Sequence, residues 1–409
     1  MAVVKAFKGI RPAKELAPKV AELPYDVVDS DEARKIAEGN PYSFFHVSKA
    51  EIDMPVGTDI YAPAVYQKGK ENFKLFMKNG TLVQDGEPSL YLYTQVMNGK
   101  SQTGLVACVS IDDYISGVIK KHELTREDKE NDRTAHLNIV GANTGPVFLF
   151  FKDDAAKQNL FGQGMAAQPE YDFTAGDGIR HIFRVVSDPK LVAAFETAFA
   201  KDVLYIADGH HRAASAARVG SQRRIANPAY TGGEEFNFFL AVIFPAGELS
   251  ILAYNRLVRD LNGLNADEFI AKIKSNFTVT QGAPEPPAKG SVSMYLNKTW
   301  YKLVPSFALP ADPVEQLDVK LLQDKILQPI LGIQDPRKDE RIQFVGGIRG
   351  TEELTRLVDS GEFAAAFSMF PTSIKELIDV ADANLIMPPK STWFEPKLRS
   401  GLVVHSIEE

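Results

Sequence analysis

The sequence predicts an α+β protein in which a mixed sheet and its helices form the core. A run of strand-forming residues at 203–207 breaks at Asp208 and Gly209 and continues as an alanine-rich helix. Two strand-like segments, 90–96 and 102–109, flank an Asn-Gly turn and predict a β-hairpin. Apolar residues at helical spacing over 62–78 add a helix, so both element types share the chain.

The length and composition of the chain exclude several classes of protein. Its 409 residues are enough for two or three domains. With 44% hydrophobic and 24% charged residues, the composition is typical of a globular protein. A net charge of −7 argues against nucleic-acid binding, which usually needs a basic surface. The single cysteine, Cys108, excludes an intrachain disulfide, and no apolar run has membrane-spanning length. We therefore expect a cytoplasmic protein with no membrane partner.

Residues 1–104 are predicted to form an N-terminal α/β region. Prolines near both early extended segments argue against helix there, and Gly39 to Pro41 end the first helix. The expected elements are a strand at 3–12, an extended segment at 23–28, a helix at 33–38, a strand at 43–47, a helix at 62–78 and the first strand of the hairpin.

Residues 105–250 are predicted to form the core. Residues 125–128 have the pattern of a capping box and predict a helix that ends near Gly141. The apolar runs at 147–151 and 236–245 are typical of buried strands. Between them, we expect a β insertion near 153–200 that ends in an amphipathic helix.

Residues 251–409 are predicted to form a C-terminal α+β region that ends in a basic, proline-rich loop. A hairpin is expected over 294–304, and helices over 317–331, 351–358 and 373–380. The loop at 386–401 has too many prolines for a helix. Because it carries cations and hydroxyl groups together, we expect it to close over an anionic ligand. Its candidate ligand-binding residues are Lys390, Ser391, Thr392, Lys397 and Arg399.

The turn at 208–212 has the properties of a phosphate site. Gly209 permits a sharp turn and a close approach of the backbone to a ligand. The amino end of the following helix favours an anion through its unpaired N–H groups and its dipole. His210 and His211 lie at that helix start, and Arg212 could grip a phosphate with two hydrogen bonds. The structural alternative is a polar helix start capped by Asp208.

Phosphoryl transfer needs a phosphate cradle, positive charge or Mg²⁺, and a base that orients the attacking hydroxyl. Glu123, next to His122, is the candidate carboxylate, with Asp208 as a further catalytic candidate. Positive charge is expected from one face of the following helix, at Arg126, Lys129 and Arg133. The glycine-rich motifs of P-loop and Rossmann proteins are absent from the sequence.

A metal-dependent hydrolase is the alternative chemistry. Its candidate ligands are His122, Glu123, Asp208, His210 and His211. Neighbouring histidines at a helix start point in different directions, which makes them awkward partners on one ion. The sequence leaves open which residues, if any, bind a metal.

One part of the chain resembles a known enzyme family. His122-Glu123 before a basic helix, the strand that begins at 146, and the turn at 208–212 are similar to the ParB/sulfiredoxin-like free-serine kinases. The resemblance covers about 105–245 and implies a ParB/sulfiredoxin-like core. It also implies that Glu123 is the catalytic carboxylate and that Gly209 to Arg212 hold nucleotide phosphate. The implied reactants are ADP or ATP and serine or O-phosphoserine, with the direction of transfer left open.

Nearly the whole chain resembles a large bacterial family, domain of unknown function ten-fifteen. The shared motifs lie at 9–12, 24–27, 122–125, 207–212 and 387–394. They add Arg11, Tyr25 and Asp26 to the candidate substrate residues. A small phosphorylated metabolite or a nucleotide is the expected partner. The alternatives are a non-catalytic sensor of such ligands and a DNA-associated protein, and a homodimer stays open as the assembly.

Overall fold

The computed structural model describes residues 2–408 of the chain. Two compact units are present. The first unit comprises the chain up to Leu249 together with the segment from Pro396 onward, and the second unit comprises Ser250–Glu395. The division of the chain into three domains, at 1–104, 105–250 and 251–409, stays a prediction. Within the described residues, the N-terminal region and the expected core lie in the same unit.

Strands occur in both units. Those up to Leu249 are β1 (Val4–Lys5), β2 (Ile10–Pro12), β3 (Leu82–Gln84), β4 (Leu90–Met97), β5 (Lys100–Ser110), β6 (Ile119–Lys120), β7 (Ala142–Asn143), β8 (Val147–Phe151), β9 (Tyr171–Thr174), β10 (Arg180–Val186), β11 (Leu204–Asp208) and β12 (Phe238–Pro245). Those that follow are β13 (Ser250–Leu252), β14 (Tyr254–Val258), β15 (Phe277–Gln281), β16 (Val292–Leu296), β17 (Thr299–Pro305), β18 (Ile342–Gly346), β19 (Ala365–Met369), β20 (Trp393–Glu395) and, back in the first unit, β21 (His405–Ser406).

The α-helices are distributed over the same two units. They are α1 (Ala17–Val20), α2 (Ser30–Ala37), α3 (Phe45–Ser48), α4 (Pro63–Lys78), α5 (Ile111–Ser116), α6 (Glu127–Val140), α7 (Ala155–Met165), α8 (Pro189–Phe199), α9 (His210–Ala226), α10 (Ala266–Ile273), α11 (Asp318–Leu322), α12 (Gly350–Asp359) and α13 (Ile374–Asp382). A π-helical turn, Gln323–Leu327, continues α11. Among residues 2–408, no helix combines the length and the apolar character needed to cross a bilayer.

A nine-stranded mixed sheet organises the first unit, which confirms the predicted α+β class. Its strand order is β6-β11-β8-β12-β5-β4-β10-β9, with β1 paired to β5. The β6–β11 and β8–β12 pairs are parallel, whereas the other pairs are antiparallel. The central strand β8 is buried along its whole length, and α5, α7, α8 and α9 contribute to the same hydrophobic core. The hairpin β4–β5 is confirmed, and its turn residues Asn98 and Gly99 both have positive φ, at 52° and 77°.

The second unit is built on a six-stranded antiparallel sheet. Its order is β15-β17-β16-β19-β14-β18, and β13 and β20 form a separate pair. Side chains of β14, β16, β18 and β19 pack with Leu354 and Leu357 of α12 in one hydrophobic core. The predicted hairpin over 294–304 is confirmed as β16–β17.

Two early segments differ from the sequence prediction. The strand expected at 43–47 is wrong, because Phe45–Ser48 form helix α3. At this turn of helix, Phe44 and Val47 lie in one hydrophobic cluster and Phe45 lies in another. In a strand, Phe45 and Val47 would instead point to the same face. The extended segment expected at 23–28 is also wrong, since it contains a turn in which the Val27 N–H donates to the Pro24 carbonyl at 3.2 Å.

Two further differences lie near the expected core. The β insertion near 153–200 begins with helix α7, whose start is capped by Asp154, and only its middle part forms the strands β9 and β10. The helix expected at its end is confirmed as α8. Helix α6 is confirmed, but the capping box at its start is wrong. Arg126 is the N-cap residue and makes no side-chain cap bond, whereas the Thr125 hydroxyl donates to the Glu130 carboxylate at 2.7 Å.

Candidate functional site

The junction between β11 and α9 has an irregular backbone. Ile206 pairs with Leu149 and Asp208 pairs with Phe148, so Ala207 is an extra residue in β11 and forms a bulge. A bulge bends the strand and changes the direction of the side chains that follow it. Gly209 then adopts left-handed backbone angles, with φ 94° and ψ 28°, and α9 begins at His210.

Gly209 lies directly beside the guanidinium group of Arg212. A Cβ atom at Gly209 would lie 3.0 Å from Arg212 Nε, so no other residue fits without displacing that group. Gly209 is the N-cap residue and provides no side-chain bond to the first turn of α9. The amino end of this 17-residue helix therefore keeps the N–H groups and the dipole that favour an anion.

Arg212 is held by two protein groups. One terminal nitrogen forms an ion pair with Asp208 at 2.8 Å, and the other donates to the Pro146 carbonyl at 2.5 Å. Burial alone would lower the pKa of Arg212, but the charges of Asp208 and Asp26 outweigh it and raise the pKa. The side chain is 10% exposed. Arg212 therefore connects the turn after β11 to the residue before β8, as well as lying at the expected phosphate site.

His122 and His210 form a buried pair. Their ring centroids are 4.5 Å apart and their planes are nearly perpendicular. Burial lowers the pKa of His122 to about 4, against the opposing effects of a hydrogen bond to the Ile206 backbone and the charge of Asp208. Burial also lowers the pKa of His210, and His122 lowers it further. Both imidazoles are therefore neutral at pH 7.

Glu123 lies next to this histidine pair. Atoms of His122, Glu123 and His210 that could bind a metal all lie within 4.8 Å of one another. The other two residues expected as ligands make different contacts. His211 Nε2 accepts the Arg126 N–H at 3.0 Å, and Asp208 pairs with Arg212. The structure therefore brings together three of the five candidate metal ligands.

The three cations expected on one face of α6 have different environments, and Arg126 precedes the helix as its N-cap residue. Arg133 is 12% exposed, pairs with Asp132 at 2.8 Å and lies 3.9 Å from the ring centroid of Tyr25. Arg126 is exposed and pairs with Asp128, while Lys129 donates to the Tyr61 hydroxyl at 2.9 Å. Of these three side chains, Arg133 alone lines the cavity described next.

A partly open cavity adjoins the turn after β11. Arg133 and Arg212 give its wall two cations, and Tyr25 brings the turn at 24–27 into the wall. Burial raises the pKa of Tyr25, so its hydroxyl is protonated at neutral pH. The lining residues are Tyr25, Ser48, Arg133, His136, Leu137, Ala142, Asn143, Thr144, Gly145, Arg212, Ser215 and Ser400.

Several lining residues were not predicted from the sequence. His136 lies one helical turn after Arg133, and Ser215 lies one turn after Arg212, so helical spacing could have identified both. Ser400 has no comparable sequence pattern. Its backbone N–H donates to the Glu22 carbonyl at 2.8 Å, a contact between residues distant in the sequence.

Other predicted site residues lie elsewhere. Arg11 pairs with Asp85 at 2.6 Å and donates to the Tyr171 hydroxyl at 3.1 Å, and it does not line the cavity. Asp26 is exposed, next to Tyr25 in the turn.

The expected ligand-covering loop is divided between the two units. Lys390, Ser391 and Thr392 belong to the second unit, where the Lys390 ammonium lies 5.5 Å from the Tyr254 ring centroid. Lys397 and Arg399 belong to the first unit. The Lys397 carbonyl accepts a hydrogen bond from the Gln95 side chain, and Arg399 forms an ion pair with Asp177. The closing of this loop over a ligand stays a prediction.

Most of this chain matches one protein family. The family model described as protein of unknown function DUF1015 matches residues 4–320. The chain therefore belongs to this family. No curated protein matches the sequence at a significant level.

Solved structures include distant neighbours of this chain. A free serine kinase variant in complex with AMP is 11% identical, with a TM-score of 0.38 over 71% of this chain and 87% of that one. SbnI from Staphylococcus aureus, truncated at its C-terminus, is 12% identical, with a TM-score of 0.38 over 71% and 82%. A conserved hypothetical protein from Pyrococcus furiosus is 13% identical, with a TM-score of 0.36 over 72% and 93%. Similarity at this level does not identify an activity, so the functional case rests on the residues of the chain itself.

Proposed function

We propose that this protein is a phosphotransferase that acts on a small hydroxylated metabolite, with serine or O-phosphoserine as the first substrate to test. The observation that carries the proposal is the position of Glu123. Its carboxylate lies within 4.8 Å of a ring nitrogen of His210, the first residue of α9. A carboxylate and the anion-favouring end of a helix are therefore neighbours, as transfer of a phosphoryl group to a hydroxyl requires.

The cavity supports a small substrate rather than a macromolecule. Small-molecule sites combine apolar walls with a few placed polar groups, and this wall combines Leu137 and Ala142 with Arg133 and Arg212. Arg133, Arg212 and the Tyr25 hydroxyl suit a ligand that carries a carboxylate or a phosphate. Serine and O-phosphoserine have such groups beside the reacting oxygen.

The kinase direction forms one bond and breaks one. The substrate hydroxyl oxygen bonds to the terminal phosphorus of ADP or ATP, and the bond from that phosphorus to its bridging oxygen breaks, which releases AMP or ADP. Glu123 accepts the hydroxyl proton. Mg²⁺ on the nucleotide would balance the phosphate charge. The reverse sequence transfers the phosphoryl group of O-phosphoserine to the nucleotide. We place this activity in the cytoplasm, where both nucleotides are available.

A panel assay tests the proposal. The purified full-length chain is incubated with Mg²⁺, with ADP or ATP, and with serine and other small hydroxylated metabolites, and products are followed by ³¹P NMR. We expect one phosphate monoester to form in step with AMP or ADP. The reverse assay starts from O-phosphoserine with AMP or ADP. Absence of transfer in both directions across the panel would contradict the proposal.

The same samples separate the alternatives. A metal-dependent hydrolase would release inorganic phosphate from O-phosphoserine without a nucleotide. A non-catalytic sensor would show a thermal shift with ADP, ATP or O-phosphoserine and no product. A DNA-associated protein would retard nucleic acid in a gel at low salt, an outcome that the net charge of −7 disfavours.

A further inference from the structure

We propose that His122, Glu123 and His210 bind one divalent transition-metal ion, such as Mn²⁺, Fe²⁺, Co²⁺ or Zn²⁺, without help from a nucleotide. This goes beyond the proposed function, in which Mg²⁺ accompanies the nucleotide, and it does not depend on which reaction the protein performs.

The sheet topology places the three side chains together. Strands β6 and β11 are parallel neighbours, with Ile119 opposite Leu204 and Lys120 opposite Tyr205. Parallel strands end at the same edge of a sheet. His122 and Glu123 follow the end of β6, and His210 follows the end of β11. The sheet pairing therefore fixes both segments of backbone that carry the ligands.

The distances suit a metal site before the ion binds. Metal–nitrogen and metal–oxygen bonds to His and carboxylate ligands are about 2.0 to 2.2 Å long, so the ligand atoms of a tetrahedral ion lie about 3.3 to 3.6 Å apart. Here the candidate atoms lie within 4.8 Å of one another. Side-chain movement of about 1 Å brings the set into range.

His210 gives a second, independent observation. It is 5% exposed, and its Nε2 atom has no hydrogen-bond partner within the described chain, residues 2–408. A buried polar nitrogen without a partner destabilises the folded state. Its lone pair would be satisfied by a metal ion.

His122 has the outer contact that is common for metal-binding histidines. It makes a hydrogen bond with the Ile206 backbone, a contact that holds the ring in a fixed orientation. Metal-binding histidines usually use one ring nitrogen for the metal and the other for such a bond. The strand that precedes the helix of His210 therefore also positions the ring of His122.

The ligand set favours a transition metal over Mg²⁺. Imidazole nitrogens suit Zn²⁺, Fe²⁺ and similar ions, whereas Mg²⁺ prefers oxygen ligands. Two neutral imidazoles and one carboxylate contribute a single negative charge, so a bound divalent ion leaves the cluster with a net positive charge. That charge would relieve the repulsion between Glu123 and an anion at the start of α9. Three protein ligands also leave coordination positions for water or a phosphate oxygen.

Metal binding is tested directly, with no substrate present. Untagged full-length protein is treated with EDTA, dialysed and titrated with Co²⁺, whose visible absorption reports nitrogen ligands, and the bound metal is counted by elemental analysis. Mn²⁺ and Zn²⁺ are tested in competition, and Mg²⁺ serves as the comparison. We expect one Co²⁺ per chain, displaced by Zn²⁺ and not by equimolar Mg²⁺.

Variants identify the ligands. His210→Gln and Glu123→Gln should each weaken Co²⁺ binding by about 100-fold or more, since even loss of an outer partner costs about 10- to 100-fold. The control is His46→Gln, because His46 forms another histidine–carboxylate pair, with Asp53 at 2.8 Å. That variant should bind Co²⁺ like the parent. Circular dichroism confirms that each variant is folded.

Some results would overturn the inference. Substoichiometric Co²⁺ in the parent would do so, as would equal Co²⁺ affinity in the parent, Glu123→Gln and His46→Gln proteins. These outcomes are separate from the phosphotransferase assay. Phosphoryl transfer by a chain that binds no transition metal refutes the metal site alone, and stoichiometric Co²⁺ in a chain without transfer activity refutes the proposed function alone.

Discussion

Replacing Arg212 with alanine should lower the melting temperature of the protein before any ligand is added. The substitution removes an ion pair with Asp208 and a hydrogen bond to the Pro146 carbonyl. Breaking a buried pair typically costs about 3 to 5 kcal/mol. The Asp208 side chain is 31% exposed, so water compensates part of that loss, and we expect about 2 to 3 kcal/mol. For cooperative unfolding of all 409 residues, that loss corresponds to a decrease of roughly 2 to 4 °C in melting temperature.

A double-mutant cycle isolates the ion pair. Asp208→Asn, Arg212→Ala and the double variant are compared with the parent by calorimetry and urea unfolding. Because the two side chains are in contact, the double variant should be more stable than the sum of the single losses predicts, by about 1 to 2 kcal/mol. Additive losses, or a melting temperature for Arg212→Ala within a degree of the parent, would refute the structural role of Arg212.

The same variants test phosphate binding. If Arg212 also contacts a phosphate, Arg212→Ala should lose the thermal shift that ADP or O-phosphoserine gives the parent, since a charge-assisted contact contributes about 1.5 to 3 kcal/mol. Arg218→Ala is the matched control, because Arg218 lies on the same helix and donates to Asn131 on the surface. That variant should keep the full shift. A full shift in folded Arg212→Ala would remove Arg212 from the ligand site.

Two further substitutions have outcomes that follow from local geometry. Gly209→Ala should weaken ADP or O-phosphoserine binding and lower stability more than Gly232→Ala does, because both residues have φ above 90° but only Gly209 has a neighbour, Arg212, within reach of a new Cβ. Equal thermal and binding effects would contradict this. Glu22→Gln should raise the free energy of unfolding at pH 8 and change it little at pH 4.5. Burial raises the pKa of Glu22 to about 7 from 4.5, so the folded state holds a proton that the unfolded state has released, and stability falls as pH rises between these values. The difference in pKa corresponds to roughly 3 kcal/mol in the free energy of unfolding at pH 8. The glutamine amide oxygen can still accept the hydrogen bond from Ser43. Urea unfolding at the two pH values measures the gain in stability. A gain in stability that is the same at both pH values would show that the Glu22 carboxyl is not responsible.

Local sequence patterns were sufficient to predict the elements that carry the proposed phosphate site. The apolar run, the glycine and the alanine-rich segment together predict β11, a turn and α9, because each feature acts within a few residues. The Asn-Gly turn and its flanking strands predict the β4–β5 hairpin for the same reason. Short apolar runs are ambiguous, as the helix α3 at a predicted strand illustrates.

The assembly of the site depends on contacts between distant parts of the chain. His122 and His210 meet because β6, a strand of two residues, pairs with β11, and no local pattern specifies such a pairing. Arg11 was expected near a ligand, but its partner Asp85 lies 74 residues away in the sequence. In contrast, Asp208 and Arg212 are four residues apart, and that spacing was available from the sequence.

The most direct test of the proposed phosphoryl transfer is the effect of Glu123→Gln, measured as melting temperature, nucleotide affinity and kcat on one sample. The substitution keeps the shape of the side chain but removes the proposed base. We predict nucleotide affinity within a few-fold of the parent and a kcat lower by roughly 10² to 10⁴. A variant that turns over normally once folded would contradict the proposal, because Glu123 would then not act as the base.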